Sequence, residues 1–180
     1  MDADTAADAA AAPRRLTLRA SVLMAREAQP NRWEDWRFRL AGVLLDTAAD
    51  EPSHAPGAPR LLRDDGHEAV FSFGGFEVEL HADEAKGYQL NLTSGTPVWF
   101  VMWRVDEDDP SRAWPERVTL SYHEAGRLLD AQERVDNWPL PAELVELLQA
   151  FTDTHYKPEP KRRQRPASFL SPERRDRDTP

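Results

Sequence analysis

Residues 69–81 read Ala-Val-Phe-Ser-Phe-Gly-Gly-Phe-Glu-Val-Glu-Leu-His, and this stretch decides the predicted fold. Apolar and polar residues alternate on both sides of the pair Gly74-Gly75, which is the period of a half-buried β-strand. A Gly-Gly connection is typical of a two-residue β-hairpin, because a type I′ turn needs positive φ at both central positions. The stretch therefore predicts a hairpin that pairs Phe73 with Phe76 and places both on its apolar face.

The residues around this stretch predict further strands. Leu16 to Arg26 and Trp36 to Leu45 alternate in the same way and predict two earlier strands. Residues 46–66 hold three Pro and two Gly, so we expect a long loop there. After a turn at 83–87 we expect a strand from Tyr88 to Leu92, and then a hairpin turn at 94–97 that leads into an apolar strand at 98–103.

The last third of the domain is predicted to be helical. Ser121 and Glu124 have capping-box spacing, which predicts a helix that continues to about Glu133. An extended connector at 135–140 precedes a second helix, which begins at Pro141 and ends near Tyr156. The predicted fold class is α+β, with a mainly antiparallel β-sheet of five to seven strands and two C-terminal helices.

Charge and composition divide the chain into three parts. We expect a disordered acidic and Ala-rich leader at 1–13, a single globular domain at 14–156, and a disordered tail rich in Pro and Arg at 157–180. The tail carries a net charge of +4, the leader −3 and the domain −10. Nucleic acid is an unlikely partner for so acidic a domain, because nucleic-acid affinity depends on neutralising phosphates.

Composition also excludes several classes of protein. The chain contains no Cys, which excludes disulfides, thiolate metal sites and a cysteine nucleophile. The N-terminus has acids where a signal peptide needs bases, and no apolar stretch is long enough to span a membrane. We therefore expect a cytoplasmic protein that is not bound to a membrane.

Glu77, Glu79, His81 and Asp83 are predicted to lie on one face of a strand. Alternate residues on a strand lie roughly 6.5–7 Å apart, so neighbouring side chains could share a divalent ion. The simpler interpretation is the solvated face of an amphipathic strand. As a further alternative, this acidic face docks a basic segment, either of a partner or of the chain itself at Lys161-Arg162-Arg163.

No sequence motif indicates a catalytic centre. His123-Glu124 could be an acid–base pair, but adjacent helix residues do not face each other, and Glu124 has a capping role. The chain lacks a nucleophile elbow, a phosphate-binding loop and a dinucleotide fingerprint. We expect no cofactor and a function other than catalysis.

The strand at 98–103 is the second candidate for a partner surface, because it is apolar on both faces. Trp99, Val101 and Trp103 share one face, and Phe100 and Met102 share the other. If the two helices cover only one of these faces, the other must meet a partner protein or a second copy of the chain.

Beyond these patterns, the chain resembles an uncharacterised bacterial family from about Leu16 to Arg165. The resemblance rests on the following segments: Ser21-Val22, Asn31-Arg32-Trp33, Trp36-Arg37, 40–44, 76–81, 84–92, Pro97-Val98-Trp99, 118–125 and Pro139-Leu140-Pro141. It closes with Phe151, His155 and the basic tail.

What the resemblance implies is an accessory role. Genes of this family are typically found beside those for a molybdenum-containing formate dehydrogenase, a small helical chaperone of molybdoenzymes, a ferredoxin-like protein and a second uncharacterised protein. The expected function is therefore a non-enzymatic accessory or maturation protein that binds a formate dehydrogenase subunit or its assembly chaperone. A homodimer is an alternative arrangement. A small-ligand or metal-binding protein, or an enzyme, that uses Glu79, His81, Asp83 and His123 is the alternative function.

Overall fold

The structure is a computed structural model that describes residues 12–29, 33–46 and 58–158. Seven strands and three α-helices occur in these ranges, with a short 3₁₀ turn at Ala82–Glu84 between the fourth strand and the first helix. In chain order the elements are β1 (Arg15–Ala28), β2 (Trp36–Leu45), β3 (Pro59–Asp64), β4 (Glu68–His81), α1 (Ala85–Leu92), β5 (Val98–Val105), β6 (Ala113–Thr119), α2 (Tyr122–Asp130), β7 (Arg134–Pro139) and α3 (Ala142–His155).

The strands form two antiparallel sheets. The four-stranded sheet has the order β2-β1-β4-β3, and the three-stranded sheet has the order β6-β5-β7. The α+β class, the antiparallel pairing and the two C-terminal helices are confirmed. The strands divide between two sheets, whereas the sequence patterns predicted one.

The predicted Gly74-Gly75 hairpin is wrong, because β4 runs without a turn from Glu68 to His81. Strand β4 pairs with β1 along its whole length. Ala20 faces Phe76 and Val22 faces Phe73, so one residue of β1 lies opposite two residues of β4 between these pairs. The two glycines thus form a β-bulge opposite Ser21, with φ of +82° at Gly75. An extra residue in a strand reverses the alternation of its side chains, so a bulge and a two-residue hairpin leave the same apolar pattern.

Two further predictions about backbone structure are wrong. The expected loop at 46–66 contains the edge strand β3, which pairs with β4 through a bulge at Leu62. Residues 47–57 of that loop lie outside the described residues. The expected turn at 83–87 and strand from Tyr88 to Leu92 are instead the 3₁₀ turn and helix α1, and the turn at 94–97 therefore joins a helix to β5.

Tertiary contacts determine that α1 is a helix. Its buried residues include Ala85, Tyr88 and Asn91, which are three residues apart and share one helical face. The Asn91 amide donates to the carbonyl oxygens of Val98 (2.8 Å) and Leu120 (3.0 Å). Its side-chain oxygen accepts from the N–H of Val98 (3.0 Å), so one polar side chain joins α1 to the start of β5.

The prediction of two late helices is confirmed. Ser121 is the N-cap of α2, where its hydroxyl accepts from the N–H of Glu124 (3.2 Å), and the helix ends at Asp130. The expected connector at 135–140 is extended, but it forms strand β7 and pairs with β5. Leu144, Leu148 and Phe151 of α3 are buried in the core.

A single hydrophobic core joins the two sheets to α1 and α3. Val22 and Leu80 from the four-stranded sheet, Trp99 from β5 and Leu148 from α3 are all fully buried members of it. None of the described helices is long and apolar enough to cross a membrane. Most of the predicted leader and tail, at 1–11 and 159–180, lies outside the described residues.

Candidate functional site

The acidic strand face is paired with arginines from β1. Glu77 forms an ion pair with Arg19 (3.5 Å), and Glu79 forms an ion pair with Arg15. The His81 ring lies 3.3 Å from the second oxygen of Glu79. These side chains are half-exposed, so the pairs are screened by water and contribute little stability.

Asp83 does not extend this face, because β4 ends at His81. Asp83 is exposed in the 3₁₀ turn, and Glu84 points elsewhere to accept from Ser121 Oγ (2.8 Å) and Arg127 (3.4 Å). Within the described residues, no three His, Asp or Glu side chains are placed to hold a metal ion.

The hydroxyl of Tyr88 supports the end of the acidic strand by accepting from the N–H of His81 (3.0 Å). Burial raises the pKa of Tyr88 to about 12, so the phenol stays protonated. This hydrogen bond fixes the position at which the chain turns from β4 into α1.

The β5 side chains that we predicted as a partner surface lie inside the fold. Trp99 and Val101 are fully buried and Trp103 is 7% exposed, so they offer no surface to a partner. Phe100 and Met102 on the opposite face are buried as well, and the Phe100 ring contacts Tyr122 of α2 edge-on. The sequence predicted that both faces of β5 are apolar, and in the structure the chain itself covers both of them.

The other predicted site residues do not come together. His123 lies at the start of α2, where Glu124 accepts from Arg117 (2.8 Å) and from the hydroxyl of Thr119 (2.7 Å). Glu124 is therefore engaged with β6, away from its neighbour. Lys161, Arg162 and Arg163 lie outside the described residues.

An apolar cleft of about 450 Å³ lies between the four-stranded sheet and the β5–β6 connection. Its volume falls in the range of about 300–1,000 Å³ that is typical of ligand-binding pockets. Most of its wall is apolar, from the side chains of Met24, Phe38, Pro59, Phe71, Phe73, Ala113 and Trp114. Arg26, Asp106, Ser111 and Arg112 supply the polar part of the wall.

Arg26 connects the two walls of the cleft. Its guanidinium carbon lies 4.3 Å from the centre of the Trp36 ring and 5.4 Å from that of Phe71. One terminal nitrogen donates to the carbonyl of Ser111 (3.0 Å), which ties the β5–β6 connection to β1. The Nε atom is buried and has no hydrogen-bond partner among the described residues. The faces of these two rings stabilise the cation where water does not solvate it fully.

The β5–β6 connection is itself ordered by local hydrogen bonds. Asp106 accepts from the backbone N–H groups of Asp108 (3.0 Å) and Asp109 (3.1 Å). Asp109 accepts from the hydroxyl (2.6 Å) and the N–H (3.1 Å) of Ser111, which holds the pKa of the Asp109 carboxyl below its usual range. This wall of the cleft is therefore preformed.

Sequence patterns did not find the cleft, because its residues come from β1, β2, β3, β4, β6 and the β5–β6 connection and share no local motif. One available signal was Arg26 at the end of an alternating strand, in line with the apolar residues Val22 and Met24. A cation at an inward-facing position needs either a partner or an aromatic surface.

The fold and the cleft define an α+β protein with two antiparallel sheets and an apolar cleft whose β5–β6 wall is ordered by local hydrogen bonds. Residues 19–165 match the family DUF3305, described as a protein of unknown function, and the chain belongs to this family. The predicted resemblance to an uncharacterised family is thereby confirmed, while the predicted gene neighbourhood stays a prediction. No curated protein and no solved structure matches the chain.

Proposed function

We propose that this protein is a non-enzymatic accessory or maturation protein of a molybdenum-containing formate dehydrogenase. It acts by binding a dehydrogenase subunit or the assembly chaperone of that enzyme. The genomic setting implied by the family resemblance supports this choice of partner. The observation that supports binding as the mode of action is the apolar cleft, whose volume is large enough to take an aromatic or aliphatic side chain of a partner.

Exposed leucines next to the cleft support the same mode of action. Pro59 begins the edge strand β3 and also lines the cleft. Leu61 and Leu62 follow it, with exposed fractions of 53% and 48%. Pro59 and the bulge at Leu62 hinder the addition of another strand to this edge, so a partner would contact the leucine side chains instead.

Capture of binding partners tests the proposal. Tagged full-length protein is expressed in a host that carries the formate dehydrogenase locus, and the captured proteins are identified at low salt. We expect a dehydrogenase subunit or its chaperone to be captured, and Leu61→Ser to reduce its yield. Leu44→Ser is the matched control, because Leu44 is equally exposed on the opposite edge strand β2.

A truncation after Tyr156 separates the contribution of the basic tail. If the tail makes a second, salt-sensitive contact, the truncated protein captures less partner and its capture depends less on salt. Failure of the full-length protein to capture any product of the locus at low salt would contradict the proposal.

A small-ligand function is the second candidate, because the cleft has the volume and the apolar lining of a ligand pocket. Titration of candidate cofactors and divalent metals with detection by tryptophan fluorescence tests it, since Trp114 lines the cleft and Trp36 contacts Arg26 of its wall. A saturable change without any captured partner would favour this function over partner binding.

A further inference from the structure

The β5–β6 connection, at residues 106–112, is a compact unit with its own hydrogen bonds. The N–H of Asp106 donates to the carbonyl of Arg112 (2.9 Å), and the N–H of Arg112 donates to the carbonyl of Asp109 (3.0 Å). These backbone bonds add to the bonds that the carboxylates of Asp106 and Asp109 accept. At its base the connection continues into the paired strands β5 and β6. Any displacement of the connection is therefore a movement of the whole unit about this base.

One hydrogen bond joins the β5–β6 connection to the four-stranded sheet in the part of the chain that the structure describes. It runs from a terminal nitrogen of Arg26 to the carbonyl oxygen of Ser111 (3.0 Å). The carboxylate of Asp106 forms an ion pair with Arg112 (3.9 Å), which belongs to the connection as well. Because the apolar cleft occupies the space between the connection and the sheet, the contact of Arg26 with Ser111 spans the cleft.

Arg26 is attached to the sheet independently of the connection. Its guanidinium carbon lies 4.3 Å from the ring centre of Trp36 on β2 and 5.4 Å from that of Phe71 on β4. All three side chains belong to the four-stranded sheet, so these contacts do not depend on the position of the connection. Release of the connection breaks the hydrogen bond to Ser111, and water then replaces the lost acceptor.

Charge adds a weaker attraction across the cleft. The hydrogen bonds from Ser111 hold the pKa of the Asp109 carboxyl below its usual range, and the charges of Arg112 and Arg26 lower it further. Of these groups, Arg26 alone belongs to the sheet, so its attraction to Asp109 acts between the sheet and the connection. Asp109 is exposed, and water therefore screens this attraction.

We propose that the β5–β6 connection is a lid over the apolar cleft and that Arg26 is the latch that holds it closed. A hydrogen bond from a charged donor favours the closed position roughly tenfold to a hundredfold. The open position is then a minor state of the free protein, and it widens the cleft for an apolar side chain of a partner. This regulatory role rests on the proposed function, whereas the movement of the lid requires no partner.

Pulsed electron paramagnetic resonance on the full-length protein measures the position of the lid without a partner. The chain contains no Cys, so spin labels attach only at introduced cysteines. Glu107→Cys places one label at an exposed position of the lid, and Arg60→Cys places the other on the exposed strand β3. Arg37→Cys with Arg60→Cys is the control pair, because both positions belong to the four-stranded sheet.

Two substitutions weaken the latch to different extents. Arg26→Met removes the donor and keeps a long, unbranched side chain beside the two rings. The population with the longer distance from the lid to β3 should grow at least about tenfold, while the control distance stays the same. Asp109→Asn changes an exposed position of the lid and should increase the same population about twofold, because it removes only the screened attraction.

Unchanged distances from the lid to β3 in both variants would overturn the lid. If the control distance changes in Arg26→Met, this variant has altered the sheet, and Asp109→Asn alone decides between the two results. The lid and the proposed function fail separately. Unchanged distances in a protein that captures its partner contradict only the lid, and a moving lid without any captured partner contradicts only the proposed function.

Discussion

The two sheets differ in how their faces are covered. The four-stranded sheet packs one face on the core and leaves the other to water, where Glu77 and Glu79 pair with arginines of β1. In the three-stranded sheet, β5 is buried on both faces from Trp99 to Trp103. The apolar strand β5 therefore stabilises the fold and leaves no exposed surface from Trp99 to Trp103 for a partner. The surfaces proposed to meet a partner are the exposed leucines of β3 and the apolar cleft.

The substitution expected to change the stability of the fold most is the truncation of Trp99. Trp99→Ala removes the largest fully buried side chain of β5 and should lower the free energy of unfolding by about 3–5 kcal/mol. Urea unfolding followed by circular dichroism measures the change. If the loss were below about 1 kcal/mol, β5 would not be the centre of the core.

An intermediate effect is expected at the bulge of β4. Gly75 has a φ of +82°, so Gly75→Ala should lower the free energy of unfolding by about 1–2 kcal/mol. Gly74→Ala is the matched control, because a Cβ there makes only an ordinary 3.5 Å contact with Ser21 Oγ. Thermal unfolding of the two variants compares the sites directly. Equal losses of unfolding free energy at Gly74 and Gly75 would indicate a tight turn with two left-handed residues in place of the bulge.

The smallest effect is expected on the solvated face. Glu79→Gln removes a half-exposed ion pair with Arg15 and should change the free energy of unfolding by at most about 1 kcal/mol. Urea unfolding at low and high salt measures it, and added salt should remove most of the difference. A larger loss of unfolding free energy that persists in high salt would contradict this expectation. It would show that Glu79 forms a structural ion pair or belongs to a binding site.

Sequence patterns predicted the regular parts of the fold and failed where two structures share one pattern. Alternation located β1 and β2, and the cap at Ser121 located the start of α2. The residues flanking Gly74-Gly75 alternate equally well in a hairpin and in a bulged strand. Only the pairing of β4 with β1 along its whole length, which is a long-range contact, distinguishes the two.

Short segments were the other source of error. The five residues from Tyr88 to Leu92 are too few to separate a strand from a helix by periodicity, and the contacts of Asn91 decide the outcome. The cleft could not be predicted for a related reason. Arg26, Phe38 and Trp114 meet only after both sheets have formed and the β5–β6 connection has been tied to β1.

The central claim is that the cleft mediates the proposed function. It is tested by measuring how tightly the captured partner binds a variant whose cleft is filled. Ala113 lines the cleft, so Ala113→Leu fills it while the backbone pairing of β6 is kept. Ala131→Leu is the same substitution at an exposed position beyond α2, and the melting temperatures of both variants verify that they fold. We expect Ala113→Leu to weaken partner binding at least about tenfold in a calorimetric titration, and Ala131→Leu to leave it unchanged. Equal affinities for the wild type and Ala113→Leu would contradict the role of the cleft in partner binding.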